Sequence, residues 1–353
     1  MTAPPAPQVD GIVARAHYGA CEGACGDPDR PALAGVAVVV CTRNRPELLR
    51  GFLDSLALQH PMPGQLVIVD SSNDDLSAHV LERHPDRDQL AHCITYLRVD
   101  QRLAGLTRQR SVGLAEVRTD LLASFDDDIV LRPGCLAALE RPMRDQPELA
   151  GVGGSIDNCD AGLSLRWRLR RLLLVVPSLA PGRYFRSGVS TPWRYMGPAP
   201  ALVPGDWLPG GAVIWRTAAV RAVGYAEPFD GYGAGEDLEF SLRMARLGPL
   251  VVSREARLLH LQSGSGRPDP RRLGYELLRN RIYIRDVTTS WRGGNRPWFV
   301  YAMVVETLIE SLDLFRPSLT RRTTSYLLGV FDCVRERLGR GSRPSPVLNG
   351  ATG

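Results

Sequence analysis

The sequence contains no lysine, and all 43 of its basic residues are arginine. Arginine favours bidentate contact with phosphate and carboxylate. Its use at every basic position, whatever the context, nevertheless reads as codon composition. The formal charge of +5 is spread along the chain without any RNA- or DNA-binding motif, which argues against a nucleic-acid partner. Long apolar runs are also missing. No stretch reaches the roughly 18 uninterrupted apolar residues of a spanning helix. Met1 to Asp10 has neither the basic start nor the apolar centre of a signal peptide. The seven cysteines are odd in number and scattered, with only Cys21 and Cys25 close together. That spacing argues against a disulfide framework and completes no evident zinc site. The absences together imply a cytoplasmic protein, soluble or peripheral on the cytoplasmic face of a membrane.

What is present is an α/β pattern. The 353 residues, 44% hydrophobic and 23% charged, have the composition of a globular enzyme with one large domain or two. Residues 1–34 are rich in Pro, Gly and Ala and read as a loosely ordered lead-in. Val36 to Cys41 is a continuous β-branched run of the kind buried in parallel sheets. It leads through Thr42-Arg43-Asn44-Arg45-Pro46 into an amphipathic segment, Glu47 to Gln59. Leu66–Val69 and Ile94–Val99 read as further strands, and Thr107 to Ala115 as a helix. This alternation predicts right-handed βαβ crossovers and a mostly parallel sheet flanked by helices. After about residue 150 the pattern changes. Arg166 to Val176 mixes arginine with leucine, a second ordered block runs from Trp207 to about Leu261, and 270–340 is helical by period, with Trp298 to Phe315 the most apolar part.

The apolar run Leu121 to Phe125 ends in Asp126-Asp127-Asp128. Acids at the carboxyl end of a strand in an open α/β sheet lie where ligands bind. Oxygen donors on a short tether suit Mg²⁺ or Mn²⁺, ions that keep positions open for substrate phosphates. A solvated turn is the plainer explanation of such acids. An EF-hand is excluded, because Ile129-Val130-Leu131 follows where that loop needs alternating acids and a glycine. A second acidic pair, Glu236-Asp237, follows Gly235 and opens a helical pattern, where acids also serve simply to complement the helix dipole.

Taken together, these segments resemble the family 2 glycosyltransferases of GT-A fold over about residues 35–262, in the family's order. The opening strand with Thr42-Arg43-Asn44-Arg45-Pro46 is similar to the family's first strand and loop, and Val67 to Asp74 to its nucleotide-contacting second strand. Gly105 through Gly113 matches a Gly-x-x-x-x-Arg-Asn-x-Gly stretch, with Ser111 in place of Asn. Asp126-Asp127-Asp128 resembles the DXD element, and Trp207 to Gly211 with Arg216, then Phe229-Asp230 and Glu236-Asp237, resemble acceptor-side elements. The resemblance implies a Rossmann-like GT-A domain over 35–265, with a nucleotide half at 35–130 and an acceptor half at 150–265, then a helical extension at 266–341 and a flexible tail at 342–353. It further implies that Thr42, Arg43, Asn44, Asp70, Arg110, Asp126 and Asp127 bind the nucleotide sugar, with Asp126, Asp128 and His260 on the metal. Trp207, Gly210, Gly211 and Arg216 are then on the acceptor side, and Asp237 is the base with Glu236 beside it.

The implied reaction is metal-dependent, inverting transfer of a hexosyl or deoxyhexosyl group from a nucleotide-diphosphate sugar to a hydroxyl of a glycan or lipid-linked acceptor, as in polysaccharide biosynthesis. Asp70 and Thr42 suit a pyrimidine edge, which favours UDP or dTDP donors. Two other functions fit the same residues: a degenerate subunit that binds nucleotide sugar without turnover, and a metal-dependent nucleotidyltransferase. The Arg166–Val176 segment and the helix after Pro297 suit an anionic membrane interface, packing on the catalytic domain, or a contact between copies in a homo-oligomer.

Overall fold

Val36–Thr42 (strand β2) and Gln65–Asp70 (β3) are buried at every position and pair in parallel. Both faces of these strands are covered, so each reads as an unbroken apolar run. Alternate residues serve two cores. Val36, Val38 and Val40 pack on one face of the sheet with Leu66 and Ile68. Ala37, Val39 and Cys41 pack on the other with Val67 and Val69. The computed structural model describes residues 10–19, 33, 35–159, 164–193, 200–229, 233–262 and 269–339. Cys21, Cys25, Asp230 and the segment 342–353 lie outside the described residues.

The chain divides into two units, Met1–Phe185 with Val189–Gly266, and Arg186–Gly188 with Arg267–Gly353. The first unit opens with β1 (Ile12–Gly19) and β2, followed by helix α1 (Pro46–Ala57), β3, α2 (Leu76–Glu82), α3 (Arg87–Leu90) and β4 (Cys93–Val99). It continues through α4 (Leu106–Glu116), β5 (Leu121–Asp126), β6 (Ile129–Leu131), α5 (Cys135–Asp145), β7 (Gly151–Ile156) and α6 (Leu165–Leu172). The remaining elements are β8 (Leu202–Gly205), β9 (Ala212–Arg216), α7 (Thr217–Val223), α8 (Glu236–Met244) and β10 (Leu250–His260). The sheet order is β1-β4-β3-β2-β5-β9-β7-β10-β6, with β8 on β10. Strands β4, β3, β2 and β5 are parallel neighbours, whereas β9, β6 and β8 pair antiparallel. From β2 the chain steps through β3 to β4 on one side and returns to place β5 on the other, so the order reverses between β2 and β5. Ligands bind at such a reversal, outside the carboxyl ends of the strands.

Two expectations are corrected here. Part of the segment expected to be loosely ordered is β1, which pairs antiparallel with β4 from Ala14↔Arg98 to Gly19↔Cys93. It is half-exposed and carries no continuous apolar run, which is why its composition concealed it. Cys93 is disulfide-bonded, while Cys41, Cys135 and Cys333 are free and buried. Cysteine spacing therefore does not exclude a disulfide, and it no longer supports a reducing compartment.

Helix α4 lies against the β2–β3 face because Gly113 has no side chain. A Cβ there would sit 2.6 Å from Val39 Cγ1 and 3.3 Å from Val69 Cγ2. Gly113→Ala is therefore expected to destabilise the protein. The helix-propensity gain of up to about 1 kcal/mol is smaller than the roughly 1–3 kcal/mol cost of overpacking. A thermal melt with an unchanged or raised midpoint would contradict this.

The second unit contains α9 (Pro270–Arg292), α10 (Arg296–Ser311) and α11 (Thr320–Gly339). Gly274 and Gly329 bring α9 and α11 together, since a Cβ at either would run into backbone of the facing helix. Arg271 Nε bonds Asp332 at 2.7 Å across the same pair. No described helix is long and apolar enough to cross a membrane.

Candidate active site

The three consecutive aspartates diverge. Asp126 closes β5 and stays partly exposed toward Arg110, whose Nη2 lies 3.2 Å from its Oδ1. Asp127 turns back into the protein, accepting 2.8 Å from Thr42 Oγ1 and 3.1 Å from Arg45 Nη1. Burial pushes its carboxyl up to about 6, against the opposing pull of Arg45 and the Thr42 hydroxyl. Asp128 is buried beside His260, whose Nε2 is 3.2 Å from Asp128 Oδ1. The antiparallel pairing of β6 with β10, Ile129↔His260, brings them together. Asn158 clamps that strand end, accepting from His260 N at 3.0 Å and donating to its carbonyl at 2.7 Å.

Asp126, Asp128 and His260 each offer a ligand atom, and all of these lie within 4.8 Å of one another. Two carboxylate oxygens and an imidazole nitrogen are a donor set suited to a small divalent cation. Asp127 is not part of it, because both of its oxygens are used to hold the end of β2.

Arg110, on α4 and 4% exposed, ties this cluster to the second acidic pair. Its Nη1 donates to Glu236 Oε1 at 2.6 Å and its Nη2 to the Gly210 carbonyl at 3.0 Å. Burial works against the arginine charge, but Glu236 and Asp126 more than offset this and raise its pKa. Glu236 opens α8, and burial pushes its carboxyl up to about 7, with Arg110 pulling down and Asp237 pushing up. Asp237 is also raised, chiefly by burial, against hydrogen bonds from the Leu238 and Gly210 amides. Glu236 is buried whereas Asp237 keeps accessible surface. Gly210 and Gly211 are required where they stand. A Cβ on Gly211 would collide with the Asp126 carboxylate, and one on Gly210 would sit 2.8 Å from Asp237 Cβ and 2.9 Å from Glu236 Oε1.

The other expected residues fall into two groups. Arg43 is exposed and donates to Gln101 Oε1 at 2.8 Å. Asn44, with φ 53°, ties the ends of β2 and β3: its amide donates to Ser72 Oγ at 2.7 Å, and its side chain accepts from Asn73 N at 2.9 Å. Trp207 is tied to the segment before β8, its indole donating to the Thr191 carbonyl at 3.2 Å. Two assignments fail. Asp70 is 0% exposed, with its oxygens taken by Ser72 N at 2.7 Å and Tyr96 OH at 2.6 Å. It shapes the turn after β3 and has no accessible surface to offer a ligand, so the pyrimidine preference drawn from it loses its basis. Arg216 pairs with Leu121 at the opposite end of β5 from Asp126. Its guanidinium donates to the Leu149, Met143 and Gln146 carbonyls at 3.0, 2.8 and 3.3 Å. It secures the loop after α5 and is not on the acceptor side.

Sequence reasoning missed Arg45, Tyr96, Asn158 and Gln109, whose amide donates to the Thr42 and Val69 carbonyls at 3.0 and 2.9 Å. Only Gln109 carried a usable signal, since it sits next to Arg110 on a predicted helix.

Strand-end carboxylates at the reversal of a sheet with parallel central strands, facing an acidic helix start, define a GT-A type fold. The sequence model of glycosyl transferase family 2 matches residues 37–200. No curated protein matches the chain. Among solved structures, GalNAc-T7 with UDP, GalNAc and Mn²⁺ aligns at TM-score 0.55 and 17% identity, covering 86% of this chain and 57% of that one. The mannosyltransferase PcManGT from Pyrobaculum calidifontis, in complex with GDP-Man and Mn²⁺, aligns at 0.49 and 16% identity over 89% of this chain and 77% of its own. TarS from S. aureus aligns at 0.47 and 14% identity, and the chain spans 50% of its length.

Proposed function

We propose that this protein is an inverting glycosyltransferase that moves a sugar from a nucleotide-diphosphate sugar to a hydroxyl of a glycan or lipid-linked acceptor. The observation that carries the reading is the Arg110 guanidinium held between Asp126 and Glu236 at 3.2 and 2.6 Å. It draws the leaving-group side and the acceptor side of the reaction into one site. A divalent ion held by Asp126, Asp128 and His260 would neutralise charge on the diphosphate. Arg110 fixes the Asp126 carboxylate toward that ion and holds Glu236 in the first turn of α8. Asp237, the more exposed of the pair, takes the proton of the attacking hydroxyl, a contribution of about 10²–10⁴-fold. Attack opposite the diphosphate inverts the anomeric carbon in one displacement.

The test is a panel of UDP, dTDP and GDP sugars screened by thermal shift with Mn²⁺ or Mg²⁺ and again with chelator, followed by product analysis. The expected result is stabilisation by one donor class, loss of that stabilisation on chelation, and release of nucleoside diphosphate. Release of pyrophosphate would instead identify a nucleotidyltransferase, and binding without product a degenerate subunit. A His260→Ala variant is expected to bind Mn²⁺ at least about tenfold more weakly in calorimetric titration, with its metal-free melting temperature little changed. Unaltered Mn²⁺ affinity would remove His260 from the proposed ligand set.

A further inference from the structure

Helix α10 buries Phe299, Ala302, Val305 and Ile309. Its opposite face carries Val300, Val304 and Leu308, which are 52%, 54% and 61% exposed, and the 3-10 turn that follows continues it with Leu312 at 42% and Phe315 at 86%. Residues four apart lie one above another on a helix, so this is one continuous apolar stripe. Helix α11 repeats the feature with Phe331 at 60% and Leu338 at 79%. Singly exposed apolar residues need no explanation, but a contiguous face does.

The charges on these helices are sorted. From Arg296 to Gly339 every fully exposed charged side chain is an arginine, namely Arg296, Arg316, Arg321, Arg322, Arg335 and Arg337. Every acid in that range is buried or half-buried. Glu306 lies 3.6 Å from Arg281, Asp332 is bonded by Arg271, and Glu336 by the Tyr275 hydroxyl. The surface is thus apolar with an excess of exposed arginine, of which Arg316 and Arg335 lie 3.5 and 3.9 Å from the half-buried Asp313 and Asp332.

We infer that α10 and α11 form a docking surface for an anionic lipid bilayer, with the Val300–Phe315 stripe at the acyl boundary and the arginines on headgroup phosphates. A helix of 16 residues, about 24 Å long, lies in the interface plane, and the combination of an apolar face with exposed arginine is that of an interfacial helix. A second copy of the chain fits less well. A twofold interface sets the same patch against itself, and here arginine would meet arginine with no exposed carboxylate on these helices to receive it. The inference is independent of the sugar-transfer reading.

Flotation of the full chain with vesicles tests it. The chain is expected to float with vesicles containing phosphatidylglycerol at low salt, to release at high salt, and to stay unbound with pure phosphatidylcholine. Leu308→Glu with Phe315→Glu is expected to reduce partitioning at least tenfold. Arg321→Gln with Arg322→Gln, which spares the apolar stripe, is expected to cost roughly fivefold per arginine on anionic vesicles. Circular dichroism melts of both variants should match the parent. No flotation with anionic vesicles, or flotation indifferent to both pairs, would overturn the inference. So would sedimentation showing a dimer that Leu308→Glu dissociates, with no vesicle binding by the parent.

Discussion

Arg110→Leu is expected to destabilise the protein by about 3–5 kcal/mol, the cost of removing one partner from a buried ion network. Arg110 is 4% exposed and Glu236 7%. Without the guanidinium, Glu236 keeps its burial and the repulsion of Asp237 but loses the one cation that lowers its pKa. The sign of the pH dependence follows. A carboxyl near 7 in the fold and near about 4.3 in the unfolded chain binds its proton more tightly when folded. Its contribution is therefore present at low pH and lost as pH rises toward 7. In the variant the folded pKa climbs further, so the stability gap from the parent should be wider at pH 8 than at pH 5. Urea midpoints at the two pH values measure this, with the slope checked for constancy. Arg110→Leu combined with Glu236→Gln should recover part of the stability without recovering turnover. A single variant within about 0.5 kcal/mol of the parent, the range of an ordinary surface change, would mean that the guanidinium is not what holds the two acidic clusters.

The three aspartates were legible because they follow an apolar strand, where ligands bind in an open α/β sheet, but their divergence was not. Asp127 turns inward because Thr42 ends the neighbouring strand and Arg45 caps the helix after it, a relation that no local pattern encodes. Asp70 was misread because Tyr96, on the next strand over, covers it. Arg216 was misread because closeness in sequence to Gly210-Gly211 masked the intervening strand. Five residues of β9, at about 3.4 Å each, carry it some 17 Å from the site. By contrast, Gly113 and Gly211 mark close approaches of backbone to neighbours, and these needs are written in the residue type itself. The parallel centre of the sheet was legible from continuous burial in β2, β3 and β5, while the antiparallel β9 and β6 depend on which strands meet in space.

Asp237→Asn is expected to lower turnover by about 10²–10⁴-fold while leaving folding and donor binding close to those of the parent. The substitution is nearly isosteric, and the amide oxygen can still accept from Leu238 N, which now lies 2.8 Å from Asp237 Oδ1. What is lost is the capacity to take a proton. A group that acts only as the hydroxyl attacks should lower kcat and kcat/KM together, and the metal-dependent thermal shift with donor should persist. Glu236→Gln makes the contrast, because it removes a charge from the Arg110 contact and should cost stability as well as rate. If Asp237 merely complemented the dipole of α8, its neutralisation would cost no more than about 1 kcal/mol of stability and leave turnover intact. Full activity in Asp237→Asn would therefore transfer the base role elsewhere. A loss of kcat and kcat/KM together, with donor binding preserved, would separate a working transferase from a scaffold that only holds nucleotide sugar.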